Sequence, residues 1–424
     1  MAEKRSGRLN SDYEFSSLWQ YLRMSISKTT QLIFLLLSLL ILGVAPPFIG
    51  AFFIPGSYAP GISLSVIFIF ICLFSFWTTL LKAHVKTFIF LFLFAFWSLA
   101  QIFFGGWVNE RSIYSFLLFV FFLITVSLAS VYYEVVSVDV VRGVISTLVK
   151  LGGMLAVINF LSSFELGYYL GYPYNKSIFP FGEPSHFALF FGSLWLAYSF
   201  IADRVSYVVW GAVYFLMAIF IPSVSLLAYV IILMVVSARF TFVRSLGLFL
   251  VFFCMLLWVL NDNYFLSRVN IFGGNNLSGL VYLQGIKDAA FSFYQTFGLG
   301  LGFQMLGTQP PSDVSLEIAN ILGTDEATNR FDGGFLAAKL VAEFGILGLA
   351  LIFGYLRYAL ISFVWLRRLE GREIGQFKDI LCHCVVLGFS VELFVRGIGY
   401  FSAGLFIFLV AVFYLGRRPA CPAC

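Results

Sequence analysis

The sequence predicts an all-α, polytopic integral membrane protein of about twelve transmembrane helices with a large, partly helical extracytoplasmic loop. Three observations predict it. The 424 residues are 61% hydrophobic and 11% charged, with a mean hydropathy of +0.95, more apolar surface than a water-soluble shell can cover. Apolar runs of bilayer length recur from Thr30 to Leu415, separated by short polar breaks. The basic residues in those breaks fall consistently on alternate turns.

Taken in order, the expected spans are 30–54, 61–81, 86–105, 113–133, 143–163, 185–202, 205–221, 223–238, 245–261, 333–363, 379–395 and 398–416. The first run is too long for a signal-peptide core and has no small-residue cleavage site, so it reads as a retained span. Residues 1–29 form a cytoplasmic N-terminal segment, 30–416 a single transmembrane domain, and 417–424 a cytoplasmic tail. An even number of spans places both termini on one side. With that side cytoplasmic, Lys28, Lys82, Arg142, Arg239, Arg367 and Arg417 all face the cytoplasm. One missed or invented helix would invert every charge downstream of it, so this agreement tests the span count. The formal net charge of +5 therefore reports orientation and gives no reason to expect nucleic-acid binding.

Cysteine usage carries little chemistry. Cys72, Cys254, Cys382 and Cys384 lie in or beside apolar runs, where the thiol acts as a small hydrophobe. Cys421 and Cys424 form a terminal C-x-x-C with no second pair, so neither a metal site nor a disulfide framework is expected.

Two extracytoplasmic segments exceed hairpin length, near 164–184 and 261–332. In the longer one, Leu277 to Phe297 reads as a helix suited to the interface. Asp313 to Leu322 reads as a second helix, with Ser312 or Asp313 as N-cap and Gly323 beyond its end.

Candidate chemistry gathers at these loops. In Phe181-Gly182-Glu183-Pro184-Ser185-His186, the proline suits a first helical turn, which puts Glu183 at the N-cap and His186 about one turn inward. A carboxylate and an imidazole so placed suit proton transfer; the structural alternative is a cap followed by a histidine bonded to a neighbouring helix. Arg268 precedes Gly279 by ten intervening residues, including Gly273 and Gly274, an arrangement suited to phosphate but also to an ordinary turn. Gly298, Gly300 and Gly302 superficially match a dinucleotide fingerprint. The βαβ context that fingerprint needs is missing, so they are expected to let backbone approach a ligand or, more commonly, another helix. Arg330 and Asp332 precede the tenth span, and the i,i+4 pairs Lys339/Glu343 and Glu392/Arg396 each lie on one helix face where they could neutralise each other, with Arg396, beside Gly397 and Gly399, favoured for function. A charge near the bilayer centre costs roughly 2.5–3.5 kcal/mol, so such residues mark a buried ion pair or a site.

Together these residues resemble the O-antigen polymerases of the Wzy type, within the membrane polysaccharide polymerases and ligases. The resemblance covers roughly Phe181 to Leu349. It rests on Glu183-Pro184-Ser185-His186 entering a mid-chain span, Arg268 with Gly279, the glycines 298, 300 and 302 with Phe303, and Asp332-Gly333-Gly334-Phe335-Leu336 leading into Glu343-Phe344-Gly345-Ile346-Leu347-Gly348. It implies a glycosyltransferase of the bacterial inner membrane that transfers a growing glycan from undecaprenyl pyrophosphate onto a lipid-linked repeat unit at the periplasmic face. Implied roles are pyrophosphate binding by Arg268, Arg330 and Arg396, and base catalysis by Glu183, His186 or Asp332. No cofactor or metal is implied; a chain-length regulator and a flippase are implied partners. The ligases of the group carry a histidine at the junction where this chain has Arg330-Phe331-Asp332-Gly333, which favours polymerase over ligase. A secondary transporter or lipid-linked-oligosaccharide flippase is the alternative from another class. It would carry similar halves and a midplane site, whereas the polar residues here collect at one face.

Overall fold

The computed structural model describes residues 27–53, 58–74, 85–105, 109–162, 168–169, 172–173, 178–220, 223–237, 277–324, 330–369 and 376–417. The expected span 245–261, Arg268, Cys254 and both terminal cysteines lie outside the described residues. In chain order the helices are α1 (Lys28–Phe52), α2 (Ala59–Leu73), α3 (Val85–Gly105), α4 (Glu110–Val135), α5 (Val138–Ser162), α6 (Pro184–Ser199), α7 (Arg204–Phe220) and α8 (Val224–Ser237). After these come α9 (Leu277–Gln295), α10 (Asp313–Leu322), α11 (Leu336–Arg368), α12 (Phe377–Phe394) and α13 (Ala403–Leu415). The only strands among the described residues are β1 (Tyr168–Tyr169) and β2 (Tyr172–Pro173), an antiparallel pair between α5 and α6.

Helices α1 to α8 and α11 to α13 coincide with the expected apolar runs other than 245–261. Four of them, α1, α4, α5 and α11, are long and apolar enough to cross a membrane; α2, α8, α13 and parts of α3 and α7 are shorter apolar helices. Large apolar side chains such as Phe92, Phe96 and Phe103 on α3, and Phe353 and Leu360 on α11, point outward, as lipid rather than water would require.

The interior is organised around α6 and α12. Every residue of α6 from His186 to Ser199 is buried, and α12 packs against α11, α13 and α6. A side chain on Gly192 would run into the Tyr229 ring, and one on Gly388 into Ser193, so α6, α8 and α12 cross at a point only small residues allow. Ser193 and Tyr229 share a hydrogen bond of 3.2 Å there. At one end of the bundle, Lys28 pairs with Asp139 at 3.6 Å, Arg417 with Glu134 at 3.2 Å, and Lys378 donates to the carbonyl of Tyr133 at 2.7 Å. The candidate site lies where the opposite ends of these helices meet the α9–α10 segment.

Helix α11 is broken at Gly345, whose φ of 55° and ψ of −124° leave the helical region. The break frees backbone groups in an apolar setting, and the glycine-rich segment after α9 satisfies them. Leu301 and Gly302 donate to the carbonyls of Ala342 and Glu343, each at 3.0 Å, while Ile346 donates to the Gly298 carbonyl at 2.8 Å. Gln101 of α3 adds donations to Glu343 O at 2.6 Å and Leu299 O at 2.9 Å. Gly298, Gly300 and Gly302 take φ values of 80°, 87° and 106°, which L-residues with a Cβ rarely adopt, and a Cβ at Gly300 would meet the Gly345 nitrogen at 2.6 Å.

Gly345→Ala forces both strained backbone and overlap with the Gly298 carbonyl, and should cost about 3 kcal/mol. In the same helix Gly354 has open space around it, so Gly354→Ala should leave stability unchanged or raised. Thermal midpoints of the purified variants in detergent compare the two.

Candidate functional site

Two clusters of charged side chains sit at this end. The first is built on α6. Glu183 is its N-cap and Pro184 opens the helix, as the sequence predicts, but the Glu183 side chain makes no capping bond. Its carboxylate instead accepts two bonds from Arg396 Nη2, at 3.2 Å to Oε1 and 3.0 Å to Oε2, and one from Ser185 Oγ at 3.0 Å. His186 Nε2 lies 4.0 Å from Glu183 Oε2, and its Nδ1 shares a 2.7 Å hydrogen bond with Tyr58 Oη from the start of α2. Glu183 is half exposed and Arg396 one-fifth exposed, whereas His186 is almost wholly buried. Burial alone pushes the Glu183 carboxyl upward. The Arg396 and His186 charges, with the hydrogen bonds from Ser185 and Arg396, outweigh it and hold the group below the usual carboxylate range.

Arg396 reaches Glu183 because α12 ends at Phe394. The expected Glu392/Arg396 pair is therefore not formed. Arg396 stands past the helix end, where i,i+4 geometry no longer applies, and Glu392 stays buried on α12. The segment after it is non-helical until Ser402 caps α13, so the expected span beginning at 398 starts as a helix only at Ala403. This segment rests on the turn before α11: Gly397 N donates to Gly334 O at 3.1 Å, and a side chain at Gly399 would lie 3.0 Å from Asp332 Oδ1.

The second cluster centres on Lys339, fully buried in α11. Its ammonium donates to Phe331 O at 2.6 Å, Gln304 Oε1 at 3.2 Å and Asp332 Oδ1 at 3.3 Å, with Glu343 Oε1 at 3.9 Å. Glu343, equally buried, accepts the amides of Gln304 at 3.0 Å and Leu306 at 3.1 Å. The expected Lys339/Glu343 contact thus exists within a larger network, because a pair without further hydrogen bonds would not recover its desolvation cost. Gln304, at φ 59°, also takes a bond from Arg111 Nη2 at 3.2 Å, and the Arg111 guanidinium stands 4.4 Å over the Phe331 ring.

The α9–α10 segment closes over these clusters. The Tyr282 ring stacks on Phe335 with centroids 4.2 Å apart, and its hydroxyl donates to Phe394 O at 3.1 Å. Helix α10 has Ser312 as N-cap and left-handed Gly323 as C-cap, and Lys287 of α9 pairs with Asp313 at 2.8 Å. Arg330 donates to the Gln309 carbonyl. Burial pushes the Asp288 carboxyl of α9 upward, partly offset by Ser312 and Arg330.

Of the residues singled out from the sequence, Glu183, His186 and Arg396 come together, and Asp332 joins Lys339 beside the same turn. Arg330 faces Gln309, and Arg268 lies outside the described residues. Gly279, read both as closing the loop after Arg268 and as part of the expected 277–297 helix, is buried in the first turn of α9. Gly298, Gly300 and Gly302 serve a helix break in their own chain. Tyr58, Gln101, Arg111, Gln304 and Gln309 were not singled out; the only signal for Gln101 was an amide inside an apolar run, and Tyr58 carried none. Among the described residues no group of three or more His, Cys, Asp or Glu side chains is arranged to hold a metal ion.

Fold and site together define a helical chain with membrane-length apolar helices and charged side chains paired at both ends. Compared with family models, curated proteins and solved structures, the chain matches none.

Lys339→Met strips the buried carboxylate and carbonyl of their cation and should destabilise by roughly 3–5 kcal/mol. Combining it with Glu343→Gln should cost less than the sum of the single changes, as a double-mutant cycle on denaturation midpoints would read.

The depressed Glu183 group stabilises the fold above its unfolded value of 4.5, and that contribution is lost as pH falls through the lower folded value. The thermal midpoint of wild type should therefore drop more than that of Glu183→Gln between about pH 5 and about pH 3. Parallel curves would mean that the Arg396 contact contributes nothing.

Proposed function

We propose that this protein is a polysaccharide polymerase of the Wzy type, crossing the bacterial inner membrane about twelve times with both termini in the cytoplasm. Its substrates are a glycan on undecaprenyl pyrophosphate and a lipid-linked repeat unit. The observation that carries the reading is the Glu183–Arg396 pair, which joins residues 213 apart in sequence beside the buried imidazole of His186. Supporting it, Lys28, Lys378 and Arg417 meet at the opposite end of the bundle, as the positive-inside rule requires of a cytoplasmic face.

In the reaction, the acceptor sugar hydroxyl attacks the anomeric carbon of the donor chain. The anomeric carbon–oxygen bond breaks, and undecaprenyl pyrophosphate leaves with the electron pair. Such a leaving group needs cations more than an acid, because negative charge grows on its phosphate oxygens. Arg396 meets that need, with Arg330 and Arg268 assigned to the same grip. Glu183 is assigned the proton of the attacking hydroxyl because it is the most exposed of the three candidates, ahead of Asp332 beside Lys339 and His186 buried against Tyr58. His186 then serves as a buried imidazole behind Glu183, bonded to Tyr58.

A strain lacking this gene, complemented with wild type or with Arg268→Ala, Arg396→Ala or Glu183→Ala, tests the reading through surface-polysaccharide length. Wild type should restore long chains. The variants, at equal membrane abundance, should leave single repeat units or shorten polymer at least tenfold by the loss of one charged contact. Long polymer in the null strain, or glycan left on its carrier as in a ligase defect, would reject it.

A further inference from the structure

Glu392 has no role in the chemistry above, yet it is a carboxyl group only 2% exposed on the central helix α12. Its Oε1 is buried without a hydrogen-bond partner in the protein, while the Ser402 hydroxyl serves the carboxyl elsewhere. The chain makes room for it: any side chain at Gly404 would run into Oε2. A buried polar atom left unsatisfied costs more than its hydrogen bond returns, so a persistent one points to an unseen partner.

Two small cavities adjoin the residue. A cavity of about 20 Å³ opens between Glu392, His186 and Tyr58, walled by Pro46 and Pro47 of α1 and by Phe190. A second, of about 10 Å³, continues past Glu392 to Ser193 and Tyr229. A void of about 10–15 Å³ or more with several polar groups holds one water, whereas an apolar void stays dry. The outer cavity is large enough for one water, and three polar side chains stand in its otherwise apolar lining: Glu392 and the Tyr58–His186 pair with its 2.7 Å bond.

We infer that a water molecule occupies this cavity and links the Glu392 carboxyl to the Tyr58–His186 pair, making Glu392 a positioning residue for the imidazole. Its bearing on catalysis rests on the polymerase reading; the water site itself does not. The geometry assigns a hydrogen-bonding task, so glutamine should replace the glutamate and leucine should not.

The test is solid-state NMR on the full chain in bilayers with ¹⁵N-histidine, His186 being assigned by its loss in His186→Gln. Magnetisation transfer from water to the His186 ring should be seen in wild type and Glu392→Gln. In Glu392→Leu it should fall at least threefold, with a moved ring-nitrogen shift. His383, on the same helix and bonded to Ser362, reports whether each variant is folded. Equal transfer in all three proteins overturns the proposal, as does loss in Glu392→Gln alongside Glu392→Leu. Wild type without transfer overturns it with no variant needed. The spectra require no substrate, so an inactive protein with the expected spectra rejects the polymerase reading alone, and unmoved spectra in an active polymerase reject the water alone.

Discussion

The break at Gly345 is the constraint on which the rest of the outer end depends. A helix interrupted in an apolar setting must find partners for its freed carbonyls and amides, and here they come from one segment, Gly298 to Gly302. That requirement accounts for the run of positive-φ glycines, the buried amide of Gln101 and the depth to which the segment is drawn in. Lys339 and Glu343 lie just before the break on the first two turns of α11 and hold the next stretch, Gln304 to Leu306, Glu343 through two backbone amides and Lys339 through the Gln304 side chain. Two buried charges that would each be costly alone therefore bind a loop to a helix.

With that segment held, the turn from Arg330 to Phe335 has a floor to rest on, and the stretch after α12 rests on that turn in its place. Gly397 and Gly399 bring backbone close enough for Arg396 to leave its own helix and meet Glu183 across the bundle. The two clusters are thus mechanically connected: Asp332 belongs to the Lys339 network, and the residues beside it carry Arg396. Glu183 and Arg396 stay partly open while His186 behind them is closed off.

Much of this was legible in the linear sequence wherever the physics is local. Span positions follow from runs of apolar residues, and the N-cap at Glu183, the Ser312 and Gly323 caps and the α9 helix follow from capping preferences and periodicity. The i,i+4 rule succeeded for Lys339 and Glu343 because both lie in one unbroken helical turn. It failed for Glu392 and Arg396 because the helix ends between them, as the expected span 379–395 and the following Gly397 already indicated. At Gly279 two readings competed, and the helical one holds, since an isolated glycine is tolerated inside a helix.

The sequence by itself determined the solvent of the chain, its helical character, its charge asymmetry and the local frames that present Glu183, His186 and Asp332, because hydropathy, periodicity and capping act over a few residues. Only the tertiary structure decided which charges meet. Arg396 with Glu183, Gln304 with Lys339 and Tyr58 with His186 join residues far apart in the chain, and helix crossings allowed by Gly192 and Gly388 and the break at Gly345 bring them together. Such pairings arise from desolvation, which makes each buried polar group seek whichever partner packing brings near, and packing distance is not written in sequence distance.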